Sequence, residues 1–339
     1  MAAKKQWRVG IIGCGWAGQQ HANALSRLQN RAALVAVADN DLARAETFAR
    51  EHHAWRWTAN YRELLDKQKL DAVIVAVPHR LHAEVAVAAA EAGLHVLVEK
   101  PLASTLSEAD DMIAAAQQAG VHLMVAENVR YDPLYLKVVE LIQKGELGNL
   151  FLVRLVREHQ IHEYMRQRPW FLKDEDAGIT LTGGIHEFDL LRMLAGEIEH
   201  VYALEAPKVL PEMMADETSV MLIGMQSGAT AFIAESYSLR TPNPGIHGAV
   251  HGSRGSVWLY KDRLQLYTAP EDGQRELVEE IVVEARDTFE VEISHFLDCL
   301  DTGQEPITSG RESRKPLVAV LAACESMRRG GRVYLSEVG

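Results

Sequence analysis

Three groups of residues in this chain of 339 have types and spacings that support chemistry. In the first, the apolar run Arg8-Val9-Gly10-Ile11-Ile12 leads directly into Gly13-Cys14-Gly15-Trp16-Ala17-Gly18, a Gly-x-Gly-x-x-Gly turn followed by a helix-compatible segment. Each glycine plays a separate steric part. Gly13 turns the chain sharply, Gly15 lets backbone approach a pyrophosphate, and Gly18 lets the helix sit close on the strand. Gly13 to Gly18, with Trp16 and Ala17 between them, are therefore candidate cofactor-binding residues. Glycine-rich turns are common, so the pattern needs an acidic residue at the end of a second strand. Ala33 to Ala38 is such an apolar run, and Asp39 ends it, 21 residues beyond Gly18. That separation suits a carboxylate that accepts hydrogen bonds from an adenosine ribose. Asp39 would repel a ribose 2'-phosphate and Asn40 supplies no cation, so NAD is expected over NADP. Arg44 is the nearby cation that can swing toward a phosphate.

The second group is Glu99-Lys100-Pro101, placed where an apolar strand ends. The carboxyl end of a parallel strand faces a ligand crevice, and Pro101 restricts the backbone there, so the Lys100 ammonium can be aimed at a substrate oxygen. A solvated lysine or a Glu99/Lys100 surface pair is the plainer alternative. The third group lies in Thr182-Gly183-Gly184-Ile185-His186-Glu187-Phe188-Asp189. A helix from about Gly183 puts His186 and Asp189 on one face, while Ile185, Phe188, Leu191 and Leu194 form an apolar stripe. A histidine near its unperturbed pKa of ~6.5 can take a proton from an alcohol at neutral pH. A hydrogen-bonded structural histidine is the alternative.

The elements that must position these groups follow from periodicity. Apolar runs at Asp71 to Val77, His95 to Glu99 and Val121 to Val125 alternate with helical segments at Asp41 to Glu51, His82 to Gly93 and Leu106 to Ala119. Alternation of this kind predicts an α/β fold with a doubly wound parallel sheet over residues 1–126. Beyond Ala126 the rhythm changes: Leu150 to Glu158, Val201 to Val209, Ser219 to Gln226, Ala229 to Ser238 and Val257 to Tyr267 read as strands, with helices at Pro133 to Lys144, Gly183 to Leu194, Thr288 to Leu300 and Ser313 to Arg328. Residues 127–339 are expected to form an α/β domain with a large, mostly antiparallel open sheet.

Composition narrows the classes. The formal net charge of -12 argues against nucleic acid or an anionic membrane as partner. Cys14, Cys299 and Cys324 are far apart and show no C-x-x-C spacing, so neither a disulfide framework nor a zinc site is expected, and a reducing cytoplasm fits. His52-His53, His79/His82 and His159/His162 lack further ligands at a metal spacing, and His79 and His82 read better as lining the loop at Pro78. Met1 to Lys5 precede a strand rather than a signal-peptide core, and no stretch approaches about 18 apolar residues. Secretion and membrane spanning are not expected.

Together the motifs resemble the glucose-fructose oxidoreductase / inositol dehydrogenase / rhizopine-catabolism (Gfo/Idh/MocA) family over nearly the whole chain. The matching segments are the Gly13 to Gly18 turn with His21 after it, Val77-Pro78-His79-Arg80-Leu81-His82, Glu99-Lys100-Pro101, Asn128 to Tyr131, and Gly184-Ile185-His186 followed by Asp189. The resemblance implies a Rossmann domain, an α/β domain whose open sheet packs in homodimers or homotetramers, and NAD(P)-dependent oxidation or reduction of a sugar, cyclitol or related secondary alcohol. It implies a cofactor lined also by Val77, Pro78, His79, His82, Glu99 and Lys100. Lys100 matches the family lysine that contacts substrate oxygen, and His186 the acid/base histidine. Thr182 stands where the family often has Asp; it can hydrogen-bond but cannot offset imidazolium charge, and a helix N-cap is its other reading. Asn128, Arg130 and Tyr131 are further substrate candidates. Trp170 can wall a sugar site with its aromatic face, or belong to the core. An NAD-retaining glycosidase or lyase, and a non-catalytic nucleotide-sensing regulator, are the rival functions.

Overall fold

The computed structural model describes residues 6–67, 69–174, 177–241, 245–268 and 276–339, so the N-terminal Met1 to Lys5 lie outside the described residues. The chain divides into two compact units, Met1–Asn128 with Asp287–Lys315, and Val129–Arg286 with Pro316–Gly339. Compared with a single boundary after residue 126, the difference is that Asp287–Lys315 returns to the first unit.

The first unit alternates β1 (Trp7–Ile12), α1 (Trp16–Arg27), β2 (Ala32–Ala38), α2 (Leu42–Glu51), β3 (Arg56–Thr58), α3 (Tyr61–Lys67), β4 (Ala72–Val75), α4 (His82–Glu91), β5 (His95–Glu99), α5 (Leu106–Ala119) and β6 (Leu123–Ala126). Its six strands run β3-β2-β1-β4-β5-β6, and every ladder is parallel. Strands covered on both faces need apolar side chains throughout, and Val73-Ile74-Val75 and Val96-Leu97-Val98 are fully buried. The order reverses direction between β1 and β4, which is the topological switch point where such sheets bind ligands at their carboxyl ends. Helix starts are set locally. Thr105 and Glu108 form a reciprocal capping box at α5, and Asp41 caps α2 through the Arg44 N–H.

The second unit continues with α6 (Pro133–Gln143), β7 (Leu150–Glu158), α7 (Glu163–Arg166), α8 (Pro169–Lys173), α9 (Ile179–Thr182), α10 (Gly184–Ala195), β8 (Ile198–Glu205), β9 (Thr218–Met225), β10 (Thr230–Ser236), β11 (Ile246–Gly252), β12 (Gly255–Tyr260), β13 (Arg263–Thr268) and β14 (Glu276–Val282). The chain then forms α11 (Thr288–Thr302), α12 (Gly310–Arg329) and β15 (Val333–Tyr334). Nine strands run β14-β13-β12-β11-β7-β10-β9-β8-β15. All neighbours are antiparallel except β7 and β10, which are parallel, with Arg157 opposite Glu235. α10 packs on these two strands. The other face leaves Phe151, Leu204 and Leu222 exposed at alternating positions.

Two expectations differ from the structure, and in the second sheet β11, β14 and β15 have no counterpart among the expected strands. Val257 to Tyr267 is two strands, β12 and β13, because the chain reverses at Lys261 and Asp262 without a glycine to mark the turn. The strand expected at Val201 to Val209 lies earlier, at Ile198–Glu205. β14 carries Glu276, Glu279 and Glu280, and its charge hid an edge strand.

Candidate functional site

At the turn after β1 the geometry is dictated by what glycine lacks. Gly13 has φ +101°, and a Cβ there would lie 2.3 Å from the Ala76 carbonyl oxygen; one on Gly18 would lie 2.1 Å from the Gly13 oxygen. No larger residue fits either position. α1 starts at Trp16 with Gly15 as its N-cap, and Gly15 brings no side chain to cap the helix, a start that suits an anion. The Asp39 carboxylate also holds the turn. It accepts from the Cys14 N–H at 2.9 Å and, on its other oxygen, from the Asp41 N–H at 3.0 Å. Arg44 pairs with Asp39 at 3.3 Å and with Asp41 at 3.4 Å, while Asn40 is exposed. Burial, with Asp39 beside it, pushes the Cys14 thiol up to about 12. Trp16 is part-exposed and meets Phe289 of α11 edge-on.

The segments after β4 and β5 meet at His82. Its ring is buried, with Nδ1 2.8 Å from the Pro101 carbonyl and Nε2 3.0 Å from the Val77 carbonyl, and as a neutral imidazole it donates to one of the two, according to its tautomer. Burial lowers its pKa to about 4, outweighing the two carbonyls. His79 is also buried. Glu99 turns inward: it accepts from His21 Nε2 at 2.9 Å and from the Lys100 N–H at 3.2 Å, so it does not form the solvated surface pair considered for Glu99 and Lys100. Burial acts upward on Glu99, yet the bond and charge of His21, with Lys100, hold it below the usual carboxylate range. A residue missed in the sequence stands behind this pair. Glu292 on α11 is fully buried, and burial, with Glu99 and Glu127 nearby, pushes its carboxyl well above the ordinary value.

In the second unit α10 carries His186, Glu187 and Asp189, all buried. Asp189 takes a two-pronged bond from Arg130, with Nη2 to Oδ1 at 2.9 Å. Tyr131 is buried beside this segment of chain, whereas Asn128 belongs to the first unit and donates to Thr288 at 2.8 Å. Thr182 is no N-cap. It closes α9, its hydroxyl donates to the Gly178 carbonyl at 2.7 Å, and it lies 3.1 Å from the Tyr237 hydroxyl. Trp170 meets Phe171 edge-on and packs against the buried cluster of Ile161, Met165, Phe171, Ile179, Met213 and Tyr237. Arg157 and Glu235, adjoining Glu187, carry no motif, and only the β7/β10 register reveals them. Among the described residues no group of three or more His, Cys, Asp or Glu is arranged to hold a metal ion.

Residues 7–127 match the family model described as an oxidoreductase family with an NAD-binding Rossmann fold, and residues 135–258 match the Gfo/Idh/MocA C-terminal domain. The chain belongs to the Gfo/Idh/MocA family. As a member it is an oxidoreductase of the NAD-binding class. It is 29% identical to the scyllo-inositol 2-dehydrogenase (NAD(+)) of Bacillus subtilis, over 97% of this chain and 96% of that one. It is likewise 29% identical to the D-apiose dehydrogenase of Paraburkholderia graminis, over 98% and 91%. Among solved structures, a levoglucosan dehydrogenase in complex with NADH and levoglucosan shares the fold with a TM-score of 0.89 at 23% identity, covering 98% of this chain and 99% of that one. The Gfo/Idh/MocA dinucleotide fits the residues present. Its pyrophosphate suits the glycine cradle and the uncapped start of α1, and its ribose suits the buried Asp39 carboxylate.

Proposed function

We propose that this protein is an NAD-dependent dehydrogenase or reductase acting on a secondary alcohol, or its ketone, of a sugar, cyclitol or sugar derivative. One observation carries the reading: Lys100 directly follows β5 at the carboxyl end of a parallel sheet whose first turn is shaped for a dinucleotide. Relatives that act on inositol and apiose support the substrate class. A nicotinamide dinucleotide bound at that turn supplies the two-electron acceptor or donor. The chain's own groups handle the proton and the charge. In the oxidative direction His186 takes the hydroxyl proton and Lys100 stabilises the alkoxide that develops; in reverse, His186 returns the proton. Arg130, held by Asp189, with Asn128, Tyr131, Thr182 and Trp170, completes the set of proposed substrate-side residues. Asp39 supports NAD over NADP by repelling a 2'-phosphate. Arg44 is committed to Asp39 and Asp41 and does not reverse that charge. The exposed Phe151, Leu204 and Leu222 on the open sheet face support a homodimer or homotetramer, and the acidic, cysteine-poor chain supports a cytoplasmic location.

The test is a panel of cyclitols, pentoses and anhydrosugars assayed with NAD and NADP in parallel by nicotinamide absorbance. Net reduction of NAD, faster than of NADP, is expected with at least one of them. Lys100→Met and His186→Asn should each lose at least ~10²-fold in kcat while NADH still binds, as followed by its fluorescence. Conversion of a glycoside without net NADH would replace this reading with the redox-neutral one, and wild-type turnover by Lys100→Met would remove the lysine from the mechanism.

A further inference from the structure

Behind the first turn of α10, two carboxyl groups packed away from water meet one guanidinium whose side chain is 27% exposed. Arg157 Nε donates to Glu187 Oε1 at 2.7 Å. Glu235 is the register partner of Arg157 on the parallel neighbour β10, and partners in such a pair project to the same face of the sheet. Glu235 is 1% exposed and Glu187 3%. No N–H or hydroxyl group among the described residues donates to either Glu235 oxygen or to Glu187 Oε2, so the partner that each carboxyl has there is the other one. The Glu235 carboxyl also lies against α10 itself, since a Cβ on Gly184 would be 2.8 Å from its Oε2. Gly184 is two residues before His186.

Charge counting makes the arrangement specific. Two ionised carboxylates beside one guanidinium leave a surplus buried negative charge, which costs far more than keeping one proton. Burial first, and then Glu187, push Glu235 well above the ordinary range. Burial acts upward on Glu187 too, but the charge and hydrogen bond of Arg157, together with His186, bring it below. Other ionisable groups face the set: Tyr135 from α6, His247 from β11, His159 after β7, Tyr237 after β10 and Asp216 before β9. Burial pushes both tyrosines up and both histidines down, which keeps these four neutral near pH 7. Asp216 is raised by burial and is already satisfied by the N–H and hydroxyl of Thr180. None of them supplies a second cation for Glu235.

We propose that Arg157, Glu187 and Glu235 are positioning residues for His186: two carboxyl groups hold one proton between them, share one guanidinium, and fix the first turn of α10. The proposal rests on His186 as the acid/base group. The proton resides on Glu235 in the wild type, and either carboxyl can serve Arg157 when the other is replaced by a neutral amide. The two single substitutions are therefore mild and their combination is not, because only the double variant leaves the part-exposed Arg157 guanidinium without a carboxylate.

The experiment uses the full chain as Glu187→Gln, Glu235→Gln, the double variant and His186→Asn. Each single Gln variant should unfold within a few degrees of wild type and lose less than ~5-fold in kcat. The double variant should unfold about 10 °C lower and lose at least ~20-fold in kcat, with NADH affinity by fluorescence unchanged. Glu235→Gln cannot ionise, so its kcat/KM should persist to higher pH than wild type by at least ~0.5 unit, because the wild type loses the shared proton there. A double variant as stable and active as either single one overturns the shared proton. One that is less stable but keeps wild-type kcat and a superimposable pH profile overturns the positioning role. Wild-type turnover by His186→Asn would instead overturn the function of His186, whatever the Gln variants do.

Discussion

At the glycine turn of the first unit the ligand surface is backbone, and side chains are excluded by distances of 2.3 Å and less. Behind the first turn of α10 the packing is made by side chains from three separated elements, where the buried Glu187 and Glu235 meet the part-exposed Arg157. The contrast teaches where each kind of site is vulnerable. A backbone cradle fails when atoms are added, since nothing nearby can yield; the charge set has a spare carboxyl and fails only when both are removed, since the guanidinium then has no counter-ion.

The largest expected effect tests the backbone side. Gly13→Ala combines φ +101° with a 2.3 Å clash against Ala76, so NADH affinity should fall at least ~100-fold or the first unit should fail to fold. Gly93→Ala sharpens the point: its φ is +77°, but nothing lies within 4 Å, and it should lose only about 1 kcal/mol in denaturant unfolding. Equal behaviour of the two variants would break the steric half of the comparison.

Next in size is an acid effect from a side chain that serves the backbone site. The folded-state pKa of His82 is depressed to about 4 from an ordinary 6.5. Its contribution to stability is therefore complete above about pH 6.5 and is lost as pH falls toward about 4, by up to ~3 kcal/mol. Urea unfolding across that window should show a steeper loss for wild type than for His82→Gln. Parallel slopes would assign the acid sensitivity to other groups.

The smallest effect belongs to Thr182. Aspartate there cannot donate to the Gly178 carbonyl, which should cost about 1–2 kcal/mol, but it would put a carboxylate four residues before His186 in the chain. A carboxylate favours the imidazolium, so the limb on which the base becomes available should move up by about 0.5–1 pH unit. Superimposable kcat/KM profiles for wild type and Thr182→Asp would remove any electrostatic part for this position.

Much of the first unit was legible because its signals are local. Apolar runs mark strands buried on both faces, glycine spacing marks the turn, and Asp39 sits where its strand must end. The position of Asp39 suits a ribose, but its bonds to the Cys14 and Asp41 N–H groups, which also brace the turn, are set by tertiary contacts, as is the burial of His82 beside Pro101. In the second unit, β12 and β13 merged in the reading because Lys261 and Asp262 form a reversal without the usual turn residues.

The sequence by itself determined the parallel sheet, the dinucleotide turn and the candidates Lys100 and His186, since each depends on residues within one or two neighbouring elements. Tertiary structure alone decided that Asp287–Lys315 returns to the first unit with the buried Glu292, that Asp189 engages Arg130, and that Arg157 and Glu235 lie by Glu187 and Gly184 of α10. Glu187 is 30 residues from Arg157, and Glu235 meets Arg157 only through the β7/β10 register. A charged residue reads as solvated until packing removes its water, and the register that does so is a property of the whole sheet rather than of any segment.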